Sequence, residues 1–217
     1  PETSPSLPIW PMADHTEARA AFERLLTRSA PFGCLPLRGS SETGKSHITR
    51  QMLANAIRMK DLACGRFDFK GTTDVDAELR AFLQYLDVPL PAVGRRLNER
   101  LRDILDALKL RARPALLIFD TYERAGEAQD WVERQLLQRL MRETWLRVVI
   151  AGQSVPEPAG AVWATVARAP LQLVPPPPEE WLAFGQPYKP DITLDFVRQA
   201  HQLCNGKASV LAQLLGP

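Results

Sequence analysis

Residues 39–46 read Gly39-Ser40-Ser41-Glu42-Thr43-Gly44-Lys45-Ser46: two glycines bracketing four residues, then a lysine and a hydroxyl. Those types at that spacing suit the capture of a polyphosphate. The glycines permit backbone torsions and a close approach that a side chain would block, so successive main-chain N–H groups can turn inward on an anion. Lys45 extends a point charge toward the β and γ phosphates, and Ser46 offers its hydroxyl to Mg2+. A helix beginning here adds its positive N-terminal end. The loop from Gly39 to Ser46, with His47 directly after it, is the expected nucleotide-contacting set, and Lys45 also acts on the chemistry. Glu42 is the discordant member. Turned inward its carboxylate repels phosphate; turned outward it is a solvated side chain.

A second acidic position follows downstream. Leu116-Leu117-Ile118-Phe119-Asp120 is an apolar run ending in a carboxylate, the Walker B arrangement to the Walker A loop upstream, and Asp120 is expected to hold Mg2+ directly or through water. Asp120-Thr121 offers no adjacent second carboxylate. Glu123 is therefore the acid near enough in sequence to orient an attacking water, its other reading being a solvated helix start. Gln153, just beyond the run Val148-Val149-Ile150-Ala151, is expected to face the γ phosphate or a bound water, but it carries no charge to stabilise a transition state. Arg147 precedes that run and belongs at the opposite edge, so it does not supply the missing cation.

Chemistry of this kind needs a strand before the loop and a helix after it, and the pattern provides both. The short apolar run Phe32 to Leu37 leads into Gly39, and Ser46 to Arg58 carries Ile48, Met52, Leu53 and Ile57 at helical spacing. Pro36 removes a ladder donor from that strand, which predicts a bulge or one-sided pairing. Helices are expected over Asp14–Arg28, Asp74–Leu86, Arg95–Leu110 and Trp131–Met141. Strands are expected at Arg66–Phe69, Ala115–Phe119, Val148–Ala151 and Leu171–Val174. Ala115 to Phe119 is apolar without alternation, as in a strand buried on both faces. The fold class is therefore α/β: a P-loop NTPase three-layer sandwich with a mainly parallel five-stranded sheet and a small C-terminal helical lid. The expected divisions are a flexible proline-rich segment over 1–11, the core over 12–174, a rigid proline junction over 175–178, and short helices over 179–217.

Bulk properties narrow the partners. The 217 residues carry 27 basic and 25 acidic side chains, a net charge of +2, which does not suggest an extended phosphate-backbone footprint, so nucleic acid is expected to be an unlikely partner. Arg95, Arg96, Arg100 and Arg102 interleave with Glu99, Asp103 and Asp106 and read as a solvated, partly paired face. Cys34, Cys64 and Cys204 lack metal-site or disulfide spacing and read as buried small hydrophobes. No run is long and apolar enough for a membrane span, and the expected compartment is the cytoplasm. A guanine-reading Asn-Lys-x-Asp segment is absent, which tilts the base toward adenine.

The phosphate loop, the segment Leu116 to Glu123 and the segment Trp145 to Gln153 together resemble the bacterial STAND NTPases, the signal-transduction ATPases related to nucleotide-binding domains of plant resistance proteins and apoptotic adaptors. The resemblance covers roughly residues 14 to 215. It implies ATP and Mg2+ as cofactors, with Lys45 and Ser46 on phosphate and metal and Asp120 as the Walker B acid. It also implies a switch between a closed ADP-bound monomer and an open ATP-bound oligomer, coupling effector and sensor domains of one longer chain, often in antiviral defence or regulation. Gln153 stands where the family commonly has a sensor arginine, and Ala208 stands where the lid motif has proline. Those departures imply slow or absent hydrolysis: an ATPase if active, otherwise an inactive scaffold with an apolar patch expected around Trp163 or Trp181.

Overall fold

The computed structural model describes residues 15–71, 74–157 and 165–216. The five-stranded sheet has the order β2-β3-β4-β1-β5, with β1 (Cys34–Gly39), β2 (Ala63–Asp68), β3 (Ala115–Asp120), β4 (Leu146–Gly152) and β5 (Leu171–Leu173). Each of these strand pairings is parallel, so the carboxyl ends line one edge. Alternate residues of β3 feed two cores. Leu117 and Phe119 pack with α3 (Val75–Leu83), α4 (Leu97–Arg111) and the helical stretch α5 (Ala128–Trp131) to α6 (Leu137–Leu140). Leu116 and Ile118 pack with α1 (Thr16–Leu26) and α2 (Lys45–Ile57). That is why the strand is an unbroken apolar run: helices cover both faces, so neither side alternates with polar residues.

Details differ from the expectations for local reasons. The first strand begins at Cys34, leaving Phe32 outside, and runs directly into Gly39. Pro36 causes no bulge: register with β4 is continuous through Pro36↔Ile150, whereas β5 pairs only with Leu37 to Gly39. The pairing is thus one-sided at the residue that lacks a donor. The second strand ends at Asp68, and Phe69 opens a 3-10 turn in which its ring lies against Phe67, Phe119 and Tyr122. Between α5 and α6 the helix continues through a π segment, Val132–Leu136.

Arg100 is buried and ion-paired with Asp76 at 2.6 Å, not part of a solvated face. Arg95, by contrast, is half exposed and pairs with Glu99 and Asp103. Cys34 and Cys64 are buried, which pushes their thiol pKa values up to about 12 and about 11, while Cys204 is partly exposed. After β5, Pro178 stands first in α7 (Pro178–Gly185), where a missing N–H has no intrahelical partner to lose. With α8 (Leu194–Leu203) and α9 (Ala208–Leu215) this helix surrounds Trp181, Val197, Ala200, Leu211 and Leu215. Trp181 is therefore core, not an exposed patch. The proline-rich segment over 1–11 and Trp163 lie outside the described residues. Among the described residues no helix is long and apolar enough to cross a membrane.

Candidate functional site

Parallel strands carry Gly39, Asp68, Asp120 and Gly152 to one edge of the sheet, the edge where ligands of open α/β sheets bind. Gly39 sits there because it must. A Cβ on it would lie 2.5 Å from Thr43 Oγ1 and 3.0 Å from the Leu173 carbonyl. Gly44 has φ 88, a torsion that side chains resist, and it starts α2. Thr43 is buried; its hydroxyl donates to the Ser40 carbonyl at 3.0 Å, and its own carbonyl meets His15 Nε2 at 3.0 Å. Ser40 and Ser41 are exposed at the rim, and Ser46 and His47 follow Lys45 in the first turn of α2, with His47 exposed. Gly39→Ala is expected to cost about 1–3 kcal/mol through that overlap. The result would register as a lower melting temperature; a variant as stable as wild type would contradict the geometry.

Lys45 Nζ is folded back over its own loop, donating to the Gly39 carbonyl at 2.8 Å and the Ser40 carbonyl at 2.5 Å. Burial holds the ammonium pKa below its ordinary value, while the Glu123 and Asp120 carboxylates pull it back up. Lys45 is thus within electrostatic reach of both Asp120 and Glu123. Glu42 resolves outward. Its φ of 68 places it in the left-handed region, its carboxylate pairs with Lys207 at 3.2 Å, and its carbonyl accepts the Ala208 N–H at 3.4 Å. The start of α9 therefore abuts the phosphate loop. With both partners nearly half exposed, the ion pair contributes at most about 1 kcal/mol.

At Asp120 the structure adds residues that were not singled out in the sequence. Asp68 lies across from Asp120 in the β2–β3 register, so a second carboxylate is present although none is adjacent in sequence. Arg66 Nη2 donates to Asp68 Oδ2 at 2.9 Å and to Asp120 Oδ2 at 2.5 Å, while its Nε donates to Thr49 Oγ1 at 3.0 Å. Thr49 Oγ1 in turn donates to Asp120 Oδ2 at 3.0 Å, and the Thr121 N–H donates to Asp120 Oδ1 at 2.8 Å. Thr121 Oγ1 donates to Asp68 Oδ1 at 2.8 Å. The cation of this site is therefore Arg66, one of two residues that the alternation Arg66-Phe67-Asp68 sends to the same face of the strand.

Burial works to raise the Asp68 pKa, but the Lys70 N–H, the Thr121 hydroxyl and the Arg66 guanidinium outweigh it and hold the group below 3.8. A depressed carboxylate pKa contributes stability above its unfolded value, and that stability is lost as the pH falls through the folded value. Asp68→Asn is accordingly expected to flatten the decline in unfolding free energy between about pH 4 and pH 2, read by urea denaturation at stepped pH. An unchanged acid slope would remove Asp68 from the network.

Glu123 follows in a short 3-10 turn, and its Oε2 accepts the Gln153 N–H at 2.8 Å. Gln153 itself is exposed at the end of β4, and a Cβ on its neighbour Gly152 would come within 2.8 Å of Glu123 Oε2. Main chain rather than side chain thus ties Gln153 to Glu123. Among the described residues there is no group of three or more His, Cys, Asp or Glu side chains placed to hold a metal ion. Asp120 has a side chain 1% exposed and accepts two donors on Oδ2 and one on Oδ1, so three of its roughly four acceptor positions are held by the protein.

The fold is a three-layer α/β sandwich with a P-loop NTPase-like architecture. It is shared with the Aeropyrum pernix ORC2 protein in ADPNP-ADP complexes, at TM-score 0.58 and 13% identity over 91% of this chain and 60% of that one. The Aeropyrum pernix ORC1 protein in complex with DNA matches at TM-score 0.59 and 16% identity, over 97% and 58%. A signal transduction ATPase with numerous domains (STAND) carrying a tetratricopeptide repeat sensor, from Pyrococcus horikoshii, matches at TM-score 0.53 and 16% identity, over 98% and 32%. At such identities the likeness is one of fold, and the chain spans only 60% and 58% of the two ORC proteins. No protein-family model and no curated protein matches the chain.

The expectation that nucleic acid is an unlikely partner is overturned here, because the same fold occurs in a protein held on DNA. A net charge of +2 is a sum over 217 residues and does not report how the charges are distributed over the surface.

Proposed function

We propose that this chain is an ATP-binding switch module in which the loop Gly39 to Ser46 holds the phosphates and hydrolysis is slow or absent. The observation that carries the reading is the placement of Lys45 Nζ within its own loop, 2.8 Å from the Gly39 carbonyl, at the head of α2. Phosphate oxygens entering the loop would take over those ammonium donors and meet the first N–H groups of α2. Glu42, paired outward with Lys207, leaves the way in clear of a third carboxylate. Where Mg2+ accompanies the nucleotide, Ser46 would supply the protein hydroxyl.

Slow turnover is supported by the second half of the site. Asp120 is tied to Arg66 and Thr49, and one oxygen of Glu123 is tied to the Gln153 main chain, so both carboxylates are restrained by protein donors. The likeness of residues 116–123 and 145–153 to the STAND NTPases, and the fold shared with the Pyrococcus horikoshii protein, support a switch over a fast enzyme. The competing reading, a scaffold without ligand, is favoured by the exposed Phe196, Leu203, Val210 and Leu214 on the last two helices.

Calorimetric titration with ATP and ADP, together with phosphate-release kinetics, separates them. The switch reading expects saturable binding of both nucleotides and a turnover of about 10⁻³ s⁻¹ or slower. Absence of binding at millimolar ATP and ADP would leave the scaffold.

A further inference from the structure

An ionised carboxylate has about four acceptor positions, and three of those on Asp120 are taken by Thr121 N–H, Thr49 Oγ1 and Arg66 Nη2. The two engaged on Oδ2 are a hydroxyl and a guanidinium, and the guanidinium is fixed from its other side by Thr49 and Asp68. A divalent cation on Asp120 would meet this arginine as a like charge on the same carboxylate. Arg66 is only 12% exposed at its side chain and is held by Thr49, Asp68 and Asp120. Charge is already close to compensated: one guanidinium faces two carboxylates, and the Lys45 ammonium is within electrostatic reach of Asp120.

We infer that Arg66 is a built-in counter-ion at the Asp120 carboxylate, so that nucleoside polyphosphate enters the phosphate loop without depending on Mg2+. The inference rests on the nucleotide-binding reading above and adds the metal dependence of that same site. Removing the guanidinium leaves Asp68 and Asp120 side by side with their charges exposed, which is what creates a demand for a dication.

Titration of the whole chain with ATP in excess Mg2+ and again in excess EDTA reads this dependence. Wild-type affinities in the two buffers are expected to agree within about threefold, whereas Arg66→Gln is expected to bind ATP at least about tenfold more tightly with Mg2+. A wild type that itself gains about tenfold from Mg2+ overturns the inference, whether or not the variant folds. A folded Arg66→Gln protein that stays indifferent to Mg2+ overturns it as well. If ATP binds in neither buffer, the nucleotide reading has failed, and Mn2+ paramagnetic resonance on the ligand-free protein decides the counter-ion question. A tight Mn2+ site in wild type that Asp120→Asn abolishes overturns the inference; no such site in wild type, with one gained in Arg66→Gln, sustains it.

Discussion

Lys45→Ala is expected to weaken ATP binding by about a hundredfold or more, ~3 kcal/mol, while the ligand-free protein melts within a few degrees of wild type. Hydrogen bonds to charged groups contribute about 1.5–3 kcal/mol each, and the ammonium reaches two phosphates of ATP but only the β phosphate of ADP. The loss for ADP should therefore be the smaller. Stability should barely change, because burial lowers the Lys45 pKa: the folded state disfavours the charge, so removing it takes away no net electrostatic support below the ordinary lysine pKa. The Gly39 and Ser40 carbonyls that lose their donor lie at an open loop where water replaces it. Isothermal titration beside a thermal melt checks both halves. Equal affinity in wild type and variant would place any bound nucleotide somewhere other than this loop, since Lys207, the neighbouring lysine, is held by Glu42.

What could be read in advance was whatever is local. The Gly39–Ser46 loop, the double-sided burial of Ala115 to Phe119 and the stripe Leu97, Leu101, Ile104, Leu105 and Leu108 all show themselves within one element, because period and turn chemistry are local signals. Arg66 and Asp68 did not. Their meaning comes from the register that sets Asp68 beside Asp120, and nothing within the strand carries that register. Period two did place both side chains on one face; what was missing was which strand lies next door. Arg100 fails for the same reason. Acids at helical spacing around it suggested solvent, but its partner is Asp76 on α3, a contact fixed by helix packing. The π segment at Val132–Leu136 is invisible to a pattern built on a period of 3.6. His15, buried against the Thr43 carbonyl, fell inside the expected helix Asp14–Arg28, and its contact with the loop is long-range.

Arg66→Met is expected to be the most damaging single change to stability, at about 3–5 kcal/mol, because it leaves one buried and one partly buried carboxylate without their shared cation. Against a total of about 5–15 kcal/mol for a folded domain, that is a fall of roughly 10 °C or more in melting temperature. The side chains concerned are 12% exposed at Arg66, 18% at Asp68 and 1% at Asp120, so water screens little of the repulsion between them. Without the arginine the carboxylates sit on neighbouring strands about 4.8 Å apart, and the folded state disfavours having both of them charged. The sign of the pH effect then reverses. Wild type loses the Asp68 contribution as the pH falls below 3.8, whereas the variant is relieved as its carboxylates protonate, so the gap between the two proteins should narrow from pH 7 toward acid. Combining Arg66→Met with Asp68→Asn removes one of the stranded charges, and the double variant should lose less than the sum of the single losses by about 1–3 kcal/mol. Urea denaturation of the four proteins at neutral and acid pH gives that coupling directly. Additive losses, or a gap that widens in acid, would mean that Arg66 packs beside these carboxylates without balancing them.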